Sequence, residues 1–174
     1  MNLRTIAVIS LLSFFGLRAP AGALAVGDDA PVVTARNQDG AEVNLADIYA
    51  KGPTLVYFYP KADTSGCTAQ ACSLRDAFPD FTGQGVEIVG VSGDSVEGQK
   101  AFAEKHQLPF TLLADPDSVV ARAFGVPTLL GIAKRQSFLI NGGKIVWKVE
   151  GAKTGEHAAE VKAAIEALRL PKKS

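Results

Sequence analysis

Two short runs, LVYFY at 55–59 and VEIVGVS at 86–92, are apolar at nearly every position rather than at alternate ones. A strand with one wet face alternates, whereas a strand apolar throughout is buried on both faces, as in parallel sheets covered by helices on each side. Helical spacing follows each run. One stretch runs from about Ser65 to Phe81, with Pro79 expected to kink or end it. The next, SVEGQKAFAEKHQL at 95–108, has Asp94 or Ser95 as its cap. PFTLLAD then reads as a strand. Asp115-Pro116 reads as an N-cap followed by proline at the first helical position, opening DSVVARAFG.

The two ends of the domain read as hairpins. VVTARNQDGAEVNL sets the turn dipeptide Asp39-Gly40 between short alternating runs, and RQSFLIN and KIVWKVE flank Gly142-Gly143. EHAAEVKAAIEALRL closes the chain as an amphipathic helix. Alternating strands and helices followed by an antiparallel hairpin predict an α/β domain of three layers with a mixed central sheet. The order matches a thioredoxin-like fold with an added N-terminal β-hairpin. Its active end is where strands hand over to helix N-termini.

The chain has 174 residues, enough for one domain with a real core. Its first 25 residues are set apart. Arg4 precedes an apolar stretch from Ile6 to Leu17, and Ala23-Leu24-Ala25 fits a small-x-small cleavage site. The stretch is shorter than the roughly 20 residues of a spanning helix. No twin arginine precedes it and no cysteine follows it for lipidation. The expectation is a Sec-type signal peptide over 1–25 and a single domain over 26–174, exported to a periplasm or a thylakoid lumen. Lys plus Arg equal Asp plus Glu at 18 each, and removing Arg4 and Arg18 leaves 16 basic residues against 18 acidic. Such a balance leaves no nucleic-acid footprint, and nothing would hold the cleaved protein on a membrane.

Both cysteines lie in YFYPKADTSGCTAQACSLRD, at Cys67 and Cys72. Cys67 falls in the first turn of the helix after LVYFY, where unpaired N–H groups and the helix dipole favour a negative charge. Thr64 can offer a hydroxyl to the sulfur or to an oxygen beside it, and Ser65 and Gly66 leave room for a substrate. On an intact helix, Cα atoms five residues apart are separated by about 8.7 Å. A disulfide needs roughly 4.4–6.8 Å, so the thiols bond only if the helix locally unwinds. Two thiols make half a zinc site. Only His106 and His157 could complete it, and both read as residues of polar, solvated helix faces.

The pattern Pro60-x-x-x-Thr64-x-x-Cys67 resembles the active-site signature of the peroxiredoxins, and FYPKADTSGCTAQAC is similar to the PrxQ or bacterioferritin-comigratory subfamily. In GIAKRQSFLI, Arg135 stands where the family carries an arginine before a strand. LPFTLLAD and FGVP extend the likeness over about 26–168, while Gln70 stands where many members carry glutamate.

The resemblance implies a thioredoxin-dependent thiol peroxidase acting on hydrogen peroxide and organic hydroperoxides. Cys67 would attack the peroxide and become a sulfenic acid. Arg135 would hold the thiolate, Thr64 would orient the peroxide, and Pro60 would shape the loop and keep water off. Cys72 would resolve the sulfenic acid as an intramolecular disulfide, reduced by a thioredoxin or similar thiol donor. The protein would be a monomer, and no haem, flavin or metal cofactor is needed. The alternatives are an exported thioredoxin-fold thiol-disulfide oxidoreductase, a copper-delivery protein and a redox sensor. The first would use Cys-x-x-Cys, but four residues separate the cysteines here. The second would want Cys-x-x-x-Cys with a positioned histidine, and the third would use the same sulfenic chemistry to change partners.

Overall fold

The structure is a computed structural model that describes residues 22–170, so the expected leader lies outside the described residues except for its last four positions. The chain runs through β1 (Thr34–Asn37), β2 (Glu42–Asn44), α1 (Leu45–Tyr49), β3 (Thr54–Phe58), α2 (Ser65–Asp76) and α3 (Phe78–Gly83). It continues through β4 (Glu87–Ser92), α4 (Val96–His106), β5 (Thr111–Ala114) and α5 (Val119–Ala123). The small ladder of β6 (Thr128–Leu129) and β7 (Ile132–Ala133) follows. Last come β8 (Gln136–Asn141), β9 (Lys144–Glu150) and α6 (His157–Leu168).

Seven strands form one sheet in the order β2-β1-β5-β4-β3-β8-β9. The buried runs behave as their composition requires: β3, β4 and β5 are parallel and central. Antiparallel β1 pairs with β5 and antiparallel β8 with β3, which makes the sheet mixed. The N-terminal hairpin pairs Arg36 with Glu42 across Asp39-Gly40. At the other end Gly142 and Gly143 hold φ of 57° and 74°, the left-handed pair that a tight hairpin needs to match strand twist.

Alternation along β3 sends its side chains to two cores. Leu55, Tyr57 and Tyr59 face α2, α3, α4 and α6, packing with Ala71, Leu74, Phe81, Phe102 and Ile165. Val56 and Phe58 face α1 and α5, packing with Leu45, Ile48, Val120 and Phe124. Each large apolar side chain removed from water contributes about 1.5–3 kcal/mol, so the sheet is clamped from both sides. Gly90 lies opposite Tyr57 in the β3–β4 register, and a Cβ there would sit 2.8 Å from the Tyr57 hydroxyl oxygen. The missing side chain lets that ring lie across β4.

Two helix boundaries differ from expectation. The stretch 65–81 is two helices broken at Ala77, whose φ of −96° and ψ of 2° leave helical geometry. Pro79 cannot donate to the Arg75 carbonyl and its ring would clash there; it therefore starts α3 rather than ending α2. Asp115 and Pro116 do not open α5. That helix begins at Val119 after a left-handed Ser118, and the Asp115 carboxylate caps it from outside. Its oxygens accept from Val120 N at 3.0 Å and Ala121 N at 2.9 Å. For α4 the cap is Ser95, which accepts from Gly98 N at 3.2 Å.

Candidate active site

The site forms where β3 hands over to α2. Tyr59 still belongs to the sheet, its N–H donating to Val91 O at 3.1 Å. Pro60 turns the chain, and the next residues are tied down one by one. Ala62 N donates to Asp94 Oδ2 at 2.8 Å. Asp63 sits at φ 58°, held there by Lys105 at 2.6 Å and His106 at 2.8 Å from the end of α4. A non-glycine residue in that region needs such outside support. Thr64 is the extended N-cap of α2, and its carbonyl accepts the first helical bond from Thr68 N at 2.8 Å.

Cys67 is the third residue of α2 and only 2% exposed. No acidic residue occupies the first turn of α2, so no carboxylate of the helix itself offsets its positive end. Arg135 stands between β7 and β8, at the head of the strand that pairs with β3. Its carbonyl accepts from Gly151 N at 2.9 Å, which pins the backbone, and its Nη2 donates to Cys67 Sγ at 3.3 Å. The other arm, Nη1, donates to Gln70 Oε1. Gln70 is fully buried, and its Nε2 lies 3.0 Å from His157 Nδ1. A chain of polar contacts thus runs from the sulfur through Arg135 and Gln70 to the first residue of α6.

The remaining sequence-predicted residues lie around this chain. Cys72 is half-buried on the same unbroken helix, and both thiols are free. Thr64 is exposed and its hydroxyl donates to Lys61 O at 3.0 Å rather than towards the sulfur. Pro60 is half-buried and walls a cavity of about 480 Å³ with Lys61, Gly93, Leu130 and Ile132. A second cavity of about 410 Å³ is lined by Arg135 together with Pro127, Gln136 and Glu150.

Both histidine expectations are corrected. His157 is fully buried, and that burial, with Arg135 as a smaller cause, lowers its pKa to about 4. It is a neutral core residue rather than a solvated one. Its Nε2 has no partner among the described residues. His106 is largely buried too, edge-on to Phe102 at 5.2 Å and paired with Asp63. Tyr57 and Tyr59 are core as expected, stacked at 5.5 Å, and burial pushes both phenols above their ordinary range.

Two residues of the site escaped the sequence reading. Gln70 read only as a departure from the family, and His157 as surface. A signal for His157 existed: it sits one and two helical turns before Val161 and Ile165, both buried on the same face of α6.

A nearly inaccessible cysteine at a helix N-terminus, faced by an arginine on a thioredoxin-like sheet, defines a class of thiol-centred redox proteins. A family profile described as the AhpC/TSA family matches residues 26–148, and the chain belongs to that family. Peroxiredoxin Bcp of Escherichia coli is 46% identical over 143 residues, covering 77% of this chain and 90% of its own. The chloroplastic peroxiredoxin Q of Sedum lineare is 43% identical over 122 residues, covering 69% of this chain. The chain spans between 54% and 71% of the length of the plant relatives. Among solved structures, peroxidoxin BcpB of Mycobacterium tuberculosis superposes with a TM-score of 0.78 at 33% identity, covering 83% of this chain and 97% of that one. The Xanthomonas campestris bacterioferritin comigratory protein, described for alkyl peroxide reduction, superposes with a TM-score of 0.74 at 30% identity, covering 81% and 99%.

Proposed function

We propose that this protein is a thiol peroxidase that reduces hydrogen peroxide and organic hydroperoxides. The observation that carries the reading is the Arg135 Nη2 donor 3.3 Å from Cys67 Sγ at the head of α2. A guanidinium is always charged and only donates. It favours the thiolate before reaction and the negative oxygen that leaves during it.

The Cys67 thiolate attacks the terminal peroxide oxygen. An S–O bond forms, the O–O bond breaks, and its electron pair leaves on the distal oxygen, which takes a proton to give water or an alcohol. Sulfur is oxidised to the sulfenic acid and the peroxide is reduced. Thr64, by swinging its hydroxyl from Lys61 O, orients the incoming peroxide, and Pro60 limits water around the product.

Helix α2 then unwinds between the cysteines. The Cys72 thiol attacks the sulfenic sulfur, forming the disulfide and releasing water. A dithiol donor of thioredoxin type restores both thiols by exchange and is itself oxidised to a disulfide. In this reading the working domain is residues 26–174, exported after removal of residues 1–25 and acting as a monomer.

Steady-state peroxide consumption with a thioredoxin system tests the assignment. Cys67→Ser is expected to abolish turnover. Cys72→Ser is expected to keep the first oxidation and lose recycling. Full activity in Cys67→Ser would overturn the mechanism, and normal cycling in Cys72→Ser would remove Cys72 from it.

A further inference from the structure

Gln70 stands on α2 between the two cysteines, and its buried carboxamide joins groups on two other elements. Arg135 can only donate, so the amide oxygen must face the guanidinium and the amide NH₂ must face His157. His157 Nδ1 is therefore the acceptor of a bond from Gln70, and the ring proton resides on Nε2. The opposite tautomer would set two donors against each other at 3.0 Å and drive the amide to flip its NH₂ towards Arg135. Burial keeps the ring neutral, which an acceptor requires. Nearby, the Ser73 hydroxyl bonds Gln70 O at 2.9 Å and lies 3.5 Å from Thr154 O, just ahead of α6.

We propose that His157 is a positioning residue and a latch. By accepting from Gln70 it fixes the amide that holds Arg135 against Cys67. The same bond ties the helical turn between Cys67 and Cys72 to the first turn of α6. The functional consequence rests on the peroxidase reading above; the geometry does not. Loss of the acceptor loosens Arg135, which slows oxidation of Cys67. It also releases the turn that must unwind, which speeds condensation with Cys72.

Two substitutions separate acceptor from filler. His157→Leu keeps apolar volume and loses the acceptor, whereas His157→Asn loses volume but places an amide oxygen near the former Nδ1. In single-turnover stopped-flow with hydrogen peroxide, His157→Leu is expected to slow Cys67 oxidation about five- to tenfold and to speed disulfide formation by a similar factor, the weight of one hydrogen bond. His157→Asn is expected to recover both rates to within about twofold of the parent protein. Leu outperforming Asn, or the two behaving alike, would overturn the proposal.

Long-range ¹H–¹⁵N correlation spectra of the reduced parent protein need no variant to fold. They are expected to show His157 protonated at Nε2 with an unprotonated, hydrogen-bonded Nδ1. A proton on Nδ1 would overturn the proposal. Failure of the parent protein's Cys67 to react with peroxide would instead sink the peroxidase reading, leaving the tautomer result to judge the latch.

Discussion

At Cys67 three influences favour negative charge on one nearly inaccessible sulfur: free first-turn N–H groups, the helix dipole and the Arg135 donor at 3.3 Å. The arginine is the only one that a single substitution removes cleanly. Arg135→Gln is expected to lower the second-order rate constant for peroxide by about 100-fold, the usual cost of one preorganised donor. Arg135→Lys should recover little, because a lysine cannot reach Cys67 and Gln70 with a rigid fork. Competition kinetics against a reference peroxidase would measure both. His157 makes a separate prediction about stability. Folded, it binds its proton only near pH 4; unfolded, near its ordinary 6.5. As pH falls through that window the unfolded chain takes up a proton that the folded one refuses, so stability falls on acidification and is fully present above it. The expected loss is about 2 kcal/mol between pH 7 and pH 5. Urea unfolding at the two pH values should show it in the parent protein and not in His157→Asn.

In the proposed cycle, helix α2 meets two demands, holding Cys67 in place and giving way so that Cys72 can reach it. Its first turn is anchored by the Asp63 and Asp94 contacts of the preceding loop, and its middle by Gln70. Ala69→Gly lowers helix propensity between the cysteines by about 1 kcal/mol. If unwinding limits disulfide formation, that substitution raises its rate about fivefold; an unchanged or slower rate in quenched-flow mass spectrometry would contradict the unwinding step. The position of Cys67 was legible because a buried strand followed by small residues and helical spacing leaves few places for the junction. The break that Pro79 imposes was legible as well, though not its position at Ala77, two residues before the proline. Nor was the start of α5, where Asp115 caps from beyond the helix. The partners of Gln70 come from positions 65 and 87 residues away, a distance that local pattern does not span.

Across the whole molecule the two cores have different duties. The face with Tyr57, Leu74 and Phe81 carries the site, while Phe58, Phe124 and Phe138 pack on the opposite face with ring centroids 5.1–6.1 Å apart. Phe138→Ala is expected to cost about 3–5 kcal/mol of stability, yet to leave the peroxide rate per folded molecule unchanged. Thermal unfolding and active-site titration together check that separation. The alternation that splits β3 between the cores was readable from LVYFY alone, as was the closing hairpin from Gly142-Gly143. The burial of His157 was also written in its spacing to Val161 and Ile165, but its contact with Gln70 required knowing that this face of α6 meets α2. The central claim, that one peroxide is reduced by one cysteine and resolved within the same helix, meets its sharpest test in a single peptide. Trypsin releases both cysteines in the segment from Ala62 to Arg75. After one equivalent of hydrogen peroxide, that peptide should be lighter by two hydrogen atoms and carry a Cys67–Cys72 disulfide. A peptide with both thiols still free, or one joined to a second chain, would contradict the account.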